Sequence, residues 1–141
     1  MIVRPWKTGD TERIDLQPAQ EYIRGVVDVG VDLSEVSAAG LAWTAEHDGE
    51  ILAVWGVVPQ WENRAVCWAV MGKQSGRHFV PIHRECVRFL DSLPIRRIEA
   101  TVDIGFGEGV RWMKMMGFEM EAYLRAYRPD GADMLQFVRI K

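Results

Sequence analysis

The stretch GVRWMKMMGFEMEAY, residues 109–123, sets a tryptophan and four methionines around a Gly-Phe pair and then alternates charged with apolar side chains. Its first half reads as the end of a helix, because Phe106, Val110, Met113 and Met116 recur at helical spacing on one stripe. The spacing predicts an amphipathic helix over residues 106–116, with Met113 and Met116 in the core and Met115 and Trp112 covering its flank. Gly117 can take the left-handed conformation just past the last turn, with Phe118 folding back onto it. A strand then follows over residues 118–127. The methionine cluster is thus a helix stop rather than a surface for a cofactor.

Working outward, IRRIEATVD, residues 95–103, alternates as a strand before this helix, and residues 134–140 form another beyond a Pro129-Asp130-Gly131 turn. Upstream, Phe79, Ile82, Cys86, Phe89 and Leu90 share one helical face, with Pro81 tolerated in the first turn and the helix ending near Leu93-Pro94. LAWTAEHDGEILAVWGVVP, residues 41–59, holds two apolar runs joined by His47-Asp48-Gly49-Glu50, and Asp-Gly between such runs signals a hairpin. A third strand, residues 65–71, follows a turn at residues 59–64. Pairing symmetric about these turns would set Val70 opposite Ala53 and Ala53 opposite Thr44. Near the start, residues 1–7 read as a strand, and Thr8 or Asp10 can cap a helix from Thr11. Residues 11–37 carry one or two short helices broken by Pro18, Gly25 and Gly30.

The order is β-α(α)-β-β-β-α-β-α-β-β, an α/β (α+β) arrangement, and 141 residues suit a single domain over residues 1–141. Apolar residues at 48% and charged residues at 26% match a soluble globular chain. The net charge of -3 gives no global attraction to nucleic acid or to an anionic membrane. Charges at Arg4 and Lys7 interrupt any signal-peptide core, and no apolar run is long enough to span a bilayer, so the expected location is cytoplasmic. Cys67 and Cys86 lie in apolar settings without metal-ligand spacing, and no pair of His47, His78 and His83 is spaced for a metal.

Three stretches resemble the GNAT superfamily of acyl-CoA-dependent N-acetyltransferases, in the right order. VRPWKTGD, residues 3–10, looks like that family's first strand IRP-x-x-x-x-D; AEHDGEILAVWG, residues 45–56, resembles its second and third strands; VRWMKMMGFEMEAYLRAY, residues 110–127, resembles its closing helix, Gly-Phe and sixth strand. The resemblance implies a GNAT-like domain with a mixed, mostly antiparallel sheet of seven strands flanked by helices. It implies acetyl-CoA as cosubstrate and a small-molecule or protein amine as acceptor. The short form, with WAVMGKQSGRH in place of the usual loop, looks most like small phage-encoded GNAT-fold proteins of the internal virion kind, which implies host cytoplasm or virion.

On that resemblance, the pantetheine arm pairs with Ala69, Val70 and Met71 of the fourth strand, and the pyrophosphate rests on Lys73, Gln74, Ser75, Gly76, Arg77 and His78. Helix N-termini favour anions through unpaired N–H groups. Residues 72–88 carry four fixed positive charges, Lys73, Arg77, Arg84 and Arg88, against Glu85. A backbone N–H near Val70 or Met71 is the expected oxyanion donor, and Trp43, Thr44, Trp55 and Trp68 its neighbours. Two positions depart from the pattern. His78 stands where the family's loop has Gly or Ala, and Met113 stands where many members place a proton-donating tyrosine. Glu62, in the turn before the fourth strand, and His78 are the candidates for proton transfer. Two readings therefore remain: an N-acetyltransferase acting on a primary amine, and a catalytically silent GNAT-fold protein serving a virion or a host interaction. Exposed strand edges allow a homodimer.

Overall fold

Seven strands in the order β1-β2-β3-β4-β5-β7-β6 form one sheet in the computed structural model, which describes residues 1–21 and 33–141. The strands are β1 (Ile2–Pro5), β2 (Ala42–His47), β3 (Glu50–Trp61), β4 (Arg64–Met71), β5 (Arg97–Asp103), β6 (Glu119–Leu124) and β7 (Met134–Ile140). Helices α1 (Asp10–Arg13), α2 (Ser34–Ala38), α3 (Phe79–Ser92) and α4 (Gly107–Met115) lie among the described residues, with 3-10 turns at Pro18–Gln20 and Lys73–His78. The single-domain α/β arrangement with a mixed sheet is therefore as the sequence implied. β4 and β5 are parallel and every other pair is antiparallel. Of the segment 11–37, expected to carry one or two short helices, residues 22–32 lie outside the described residues.

The hairpins form where turn chemistry places them, but their registers differ from the symmetric expectation. Asp48 (φ 49°) and Gly49 (φ 79°) both take positive φ, which makes the tight β2–β3 turn. A bulge then makes Leu52 an extra residue, so Glu46 faces Ile51 and Ala45 faces Ala53. The β3–β4 turn is only Glu62-Asn63, with Trp61 paired to Arg64 and a second bulge at Gln60. Val70 consequently lies opposite Val54, not Ala53, and Val54 opposite Thr44. Pro59 is tolerated inside β3 because the β2 ladder ends at Ala42↔Gly56, so no β2 partner is left without a donor.

The alternation of β3 and β4 divides the core between two faces. Ala53, Trp55, Val57, Ala65 and Met71 pack with Ile82, Cys86 and Leu90 of α3 and Trp112 and Met113 of α4. Ile51, Val54 and Val70 pack on the other side with Trp6, Ile14 and Leu16. Helix α4 ends as its sequence indicates: Gly117 has φ 88°, its N–H donates to Lys114 O at 3.1 Å, and Phe118 N–H donates to Met113 O at 3.0 Å. The flank assignment is corrected, because Trp112 is buried and donates its indole N–H to His83 Nδ1 (3.1 Å), whereas Met115 is exposed. The cap assignment near the start is corrected too: Gly9 precedes α1 without a side-chain cap, and Asp10 lies within the helix, buried.

Candidate functional site

The site begins where β4 and β5 separate. Their parallel ladder holds only Arg64↔Arg97, Ala65↔Ile98 and Val66↔Glu99, so from Cys67 onward the cleft-side edge of β4 has no strand beside it. An unpaired edge buried in protein must find other partners. A cavity of about 510 Å³ opens there, walled by Trp55, Cys67, Trp68 and Ala69 from the central strands, Val102 and Asp103 from β5, and faces of α3 and α4.

The exposed edge is partnered by side chains from the segment that follows α1. Gln20 Nε2 donates to Ala69 O (3.1 Å), and Met71 N–H donates to Gln20 Oε1 (2.8 Å). Gln17 N–H donates to Met71 O (3.1 Å), and Gln17 Nε2 donates to Ser75 Oγ (3.2 Å). Leu16 bridges Gly72, and Lys73 N–H donates to Asp15 O at 2.7 Å. The junction at Gly72 is tight, because a Cβ there would lie 3.1–3.3 Å from three carbonyl oxygens, those of Leu52, Ile51 and Asp15. Neither glutamine carries a sequence signal: both lie in the irregular segment, and Gln20 meets a partner fifty-one residues away.

The expected site residues divide by face. Ala69, Met71, Ser75 and Gly76 line the cavity, whereas Val70 points to the other side of the sheet, against the Trp6 cluster. Lys73, Gln74 and Arg77 are exposed on the 3-10 turn, where Lys73 Nζ sits 3.4 Å from Asp15. The turn is wound rather than open: Ser75 is buried and donates its N–H to Gly72 O (3.1 Å). His78 is half-buried with its ring centroid 4.7 Å from that of His47. Glu62 is exposed in the β3–β4 turn, beyond the opposite end of β4 from Met71, a strand that spans roughly 23 Å at its usual rise. It does not share the cavity. Among the expected neighbours, Trp55 and Trp68 line the cavity, while Thr44 is fully buried on the Asp10 side.

The chemistry of the wall is mostly apolar. Met113 is buried in it, so a thioether stands at that point of α4. Burial pushes the Cys67 thiol up to about 12 and the Cys86 thiol well above its usual value, which leaves both protonated and poorly nucleophilic at neutral pH. Trp55 Nε1–H is the one buried side-chain polar atom without a partner among the described residues. The carboxylates of the wall are Asp103, held by Arg128 and by Gly105 N–H (2.7 Å), and Glu108 at the start of α4. Around the 3-10 turn, Arg88 pairs with Glu85 at 2.5 Å, while Arg77 and Arg84 are exposed. No group of three or more metal-binding side chains is gathered among the described residues. No described helix is long and apolar enough to cross a membrane.

Comparison with known proteins gives the fold. No protein-family model matches the chain, and no curated protein does. Solved structures do. Ard1 from Thermoplasma volcanium superposes with a TM-score of 0.79 at 15% identity, covering 99% of this chain and 96% of that one. Ribosomal-protein-alanine N-acetyltransferase from Brucella melitensis gives 0.74 at 15% identity, covering 100% of both chains. A GNAT superfamily phosphinothricin acetyltransferase from Sinorhizobium meliloti, solved in complex with acetyl-CoA, gives 0.71 at 12% identity, covering 99% of this chain and 87% of that one. The chain has the GNAT fold.

Proposed function

We propose that this chain is an acyl-CoA-dependent N-acyltransferase that binds acetyl-CoA in the β4–β5 cleft and transfers the acetyl group to a primary amine, of a small molecule or a protein. The observation that carries the reading is the early end of the β4–β5 ladder at Val66↔Glu99, which leaves Ala69 O and Met71 N–H facing a cavity of about 510 Å³. Such an edge suits an extended, amide-bearing thioester, because Ala69 O can accept from an amide N–H of the arm and Met71 N–H can donate to the thioester carbonyl. The acetyl-CoA complex of the Sinorhizobium meliloti protein supports the same ligand on this fold.

In this reading Ala69 and Met71 carry the arm, and Ser75 and Gly76 flank its entry. Lys73, Gln74, Arg77 and His78 surround the phosphates on the 3-10 turn before α3, where positive charge and helix N–H groups favour an anion. Met71 N–H is the oxyanion donor for the thioester carbonyl. The protein acts in the cytoplasm, or in a host cell or virion if phage-encoded, and its outer strands β1 and β6 offer edges for a second copy.

Thermal unfolding with acetyl-CoA or CoA tests the reading. A ligand at a hundred times its Kd stabilises the folded state by about 2.7 kcal/mol, a shift of several degrees for a chain of this size. No shift at millimolar CoA rejects it. A second reading, a catalytically silent GNAT-fold protein acting in a virion or a host interaction, is favoured by Met113, whose thioether cannot protonate a departing thiolate. It expects a stable partner in pull-downs and no acetyl transfer across a panel of amines; turnover on any amine rejects it.

A further inference from the structure

In a parallel sheet, one residue of a strand bonds its neighbour twice: its N–H donates to the carbonyl of one residue, and its carbonyl accepts from the N–H two residues on. On β4 the cleft-side groups that such a residue would meet across from Val70 are Ala69 O and Met71 N–H. β5 has already left β4 by then, since its last pair is Val66↔Glu99. The Gln20 carboxamide supplies both bonds instead, donating to Ala69 O at 3.1 Å and accepting from Met71 N–H at 2.8 Å. Gln20 is 9% exposed, and Gln17 secures the next carbonyl, Met71 O, through its backbone N–H.

We infer that Gln20 is a built-in competitor for the acyl-donor site: its side chain imitates one residue of a parallel strand, and an amide-bearing thioester reaches the β4 edge only by displacing it. The inference rests on the acyl-CoA reading above. The carboxamide presents the same donor and acceptor as the arm's amide N–H and the thioester carbonyl, so both cannot hold Ala69 O and Met71 N–H at once. Its presence keeps a buried strand edge satisfied in the absence of ligand, which an empty cleft would leave at a cost. Gln20 Oε1 also occupies Met71 N–H, the oxyanion donor of that reading, so this donor reaches a thioester carbonyl only once Gln20 has moved.

Calorimetric titration of CoA and acetyl-CoA into the full chain and into Gln20→Ala and Gln20→Asn variants tests this, with Asn retaining a polar side chain too short to span both groups. Net contributions of two neutral hydrogen bonds correspond to a gain in affinity of roughly thirty-fold in both variants. Thermal melting of each variant without ligand confirms that it is folded before titration. Tighter binding by both variants, or binding by the variants alone, supports the inference. Equal or weaker binding by the variants, with the unaltered chain binding CoA, makes Gln20 a strut or a ligand contact and overturns the inference while the acyl-CoA reading stands. No binding by any of the three at millimolar CoA overturns both.

Discussion

Asp10 shows how one residue can tie three elements. Its carboxylate accepts from Arg4 Nη1 (2.8 Å) and Nη2 (3.0 Å), from Lys7 N–H (2.8 Å) and from the Thr44 hydroxyl (2.7 Å), joining β1, α1 and β2. Burial opposes its ionisation, yet the bonds from Arg4, Lys7 N–H and Thr44 outweigh it and hold the carboxyl below its ordinary value. Arg4 is shared with Glu46 at 3.1 Å. This gives a physical reason for an Arg-Pro followed five residues later by Asp at the start of the chain. Replacing Asp10 by Ala leaves Arg4 with Glu46 as its carboxylate partner but strands the buried Thr44 hydroxyl and Lys7 N–H, and a buried donor left unsatisfied costs about 1–3 kcal/mol. Urea unfolding of Asp10→Ala is therefore expected to show a large fall in midpoint, with the secondary structure of any folded fraction unchanged by circular dichroism.

Among the elements, α4 and the 3-10 turn make opposite uses of glycine. Gly117 sits at φ 88° and closes the helix through the two bonds that define its C-terminal turn. An alanine there must hold a left-handed conformation, at about 1–2 kcal/mol. Gly76 has no positive φ, and a methyl group added to its Cα would meet nothing within 4 Å. Guanidinium unfolding is expected to rank Gly117→Ala clearly below the unaltered chain and Gly76→Ala close to it. Gly109 is different again: a Cβ would come within 2.5 Å of the Phe106 ring, so the glycine allows Phe106 to lie over the start of α4 in the cavity wall.

Across the whole molecule, the charge pattern sets how stability responds to acid. Hydrogen bonds from Arg64 Nε (2.7 Å), and then from Arg97 Nε (2.6 Å), hold the Glu99 carboxyl down to about 2 despite burial. The Arg64 bonds cross the β4–β5 junction at the last ladder pair before the cleft, and Arg97 joins them from β5 itself. A carboxylate with a depressed folded value contributes stability that is full above its unfolded value and is lost as pH falls through the folded one. Asp10 acts in the same direction. Stability is thus expected to decline from about pH 4.5 toward the Glu99 value of about 2. Urea titrations at stepped pH check this, and Glu99→Gln should flatten the slope at the cost of lower stability at neutral pH.

Much of the fold was legible because its signals are local. The Gly-Phe stop after Met116, the Asp-Gly hairpin and the stripe of Ile82, Cys86 and Leu90 depend on backbone preferences and on the period of side chains along one element, and each appears where the sequence put it. The register across β2, β3 and β4 was not legible, since the bulges at Leu52 and Gln60 break the simple pairing about each turn and no local signal marks them. That shift put Val70 over the far core and left Ala69 and Met71 on the cleft. Within the site, the sequence singled out the end of β4 and the turn after it, but not the glutamines that meet them. Gln17 and Gln20 follow no period, and they reach Ser75 and Met71 across 58 and 51 residues of chain. Local periodicity and turn chemistry, then, determined which elements form and in what order. Only the tertiary structure decided which edge of β4 stays unpaired and that a side-chain amide fills it, because a contact between non-periodic residues leaves no pattern along the chain.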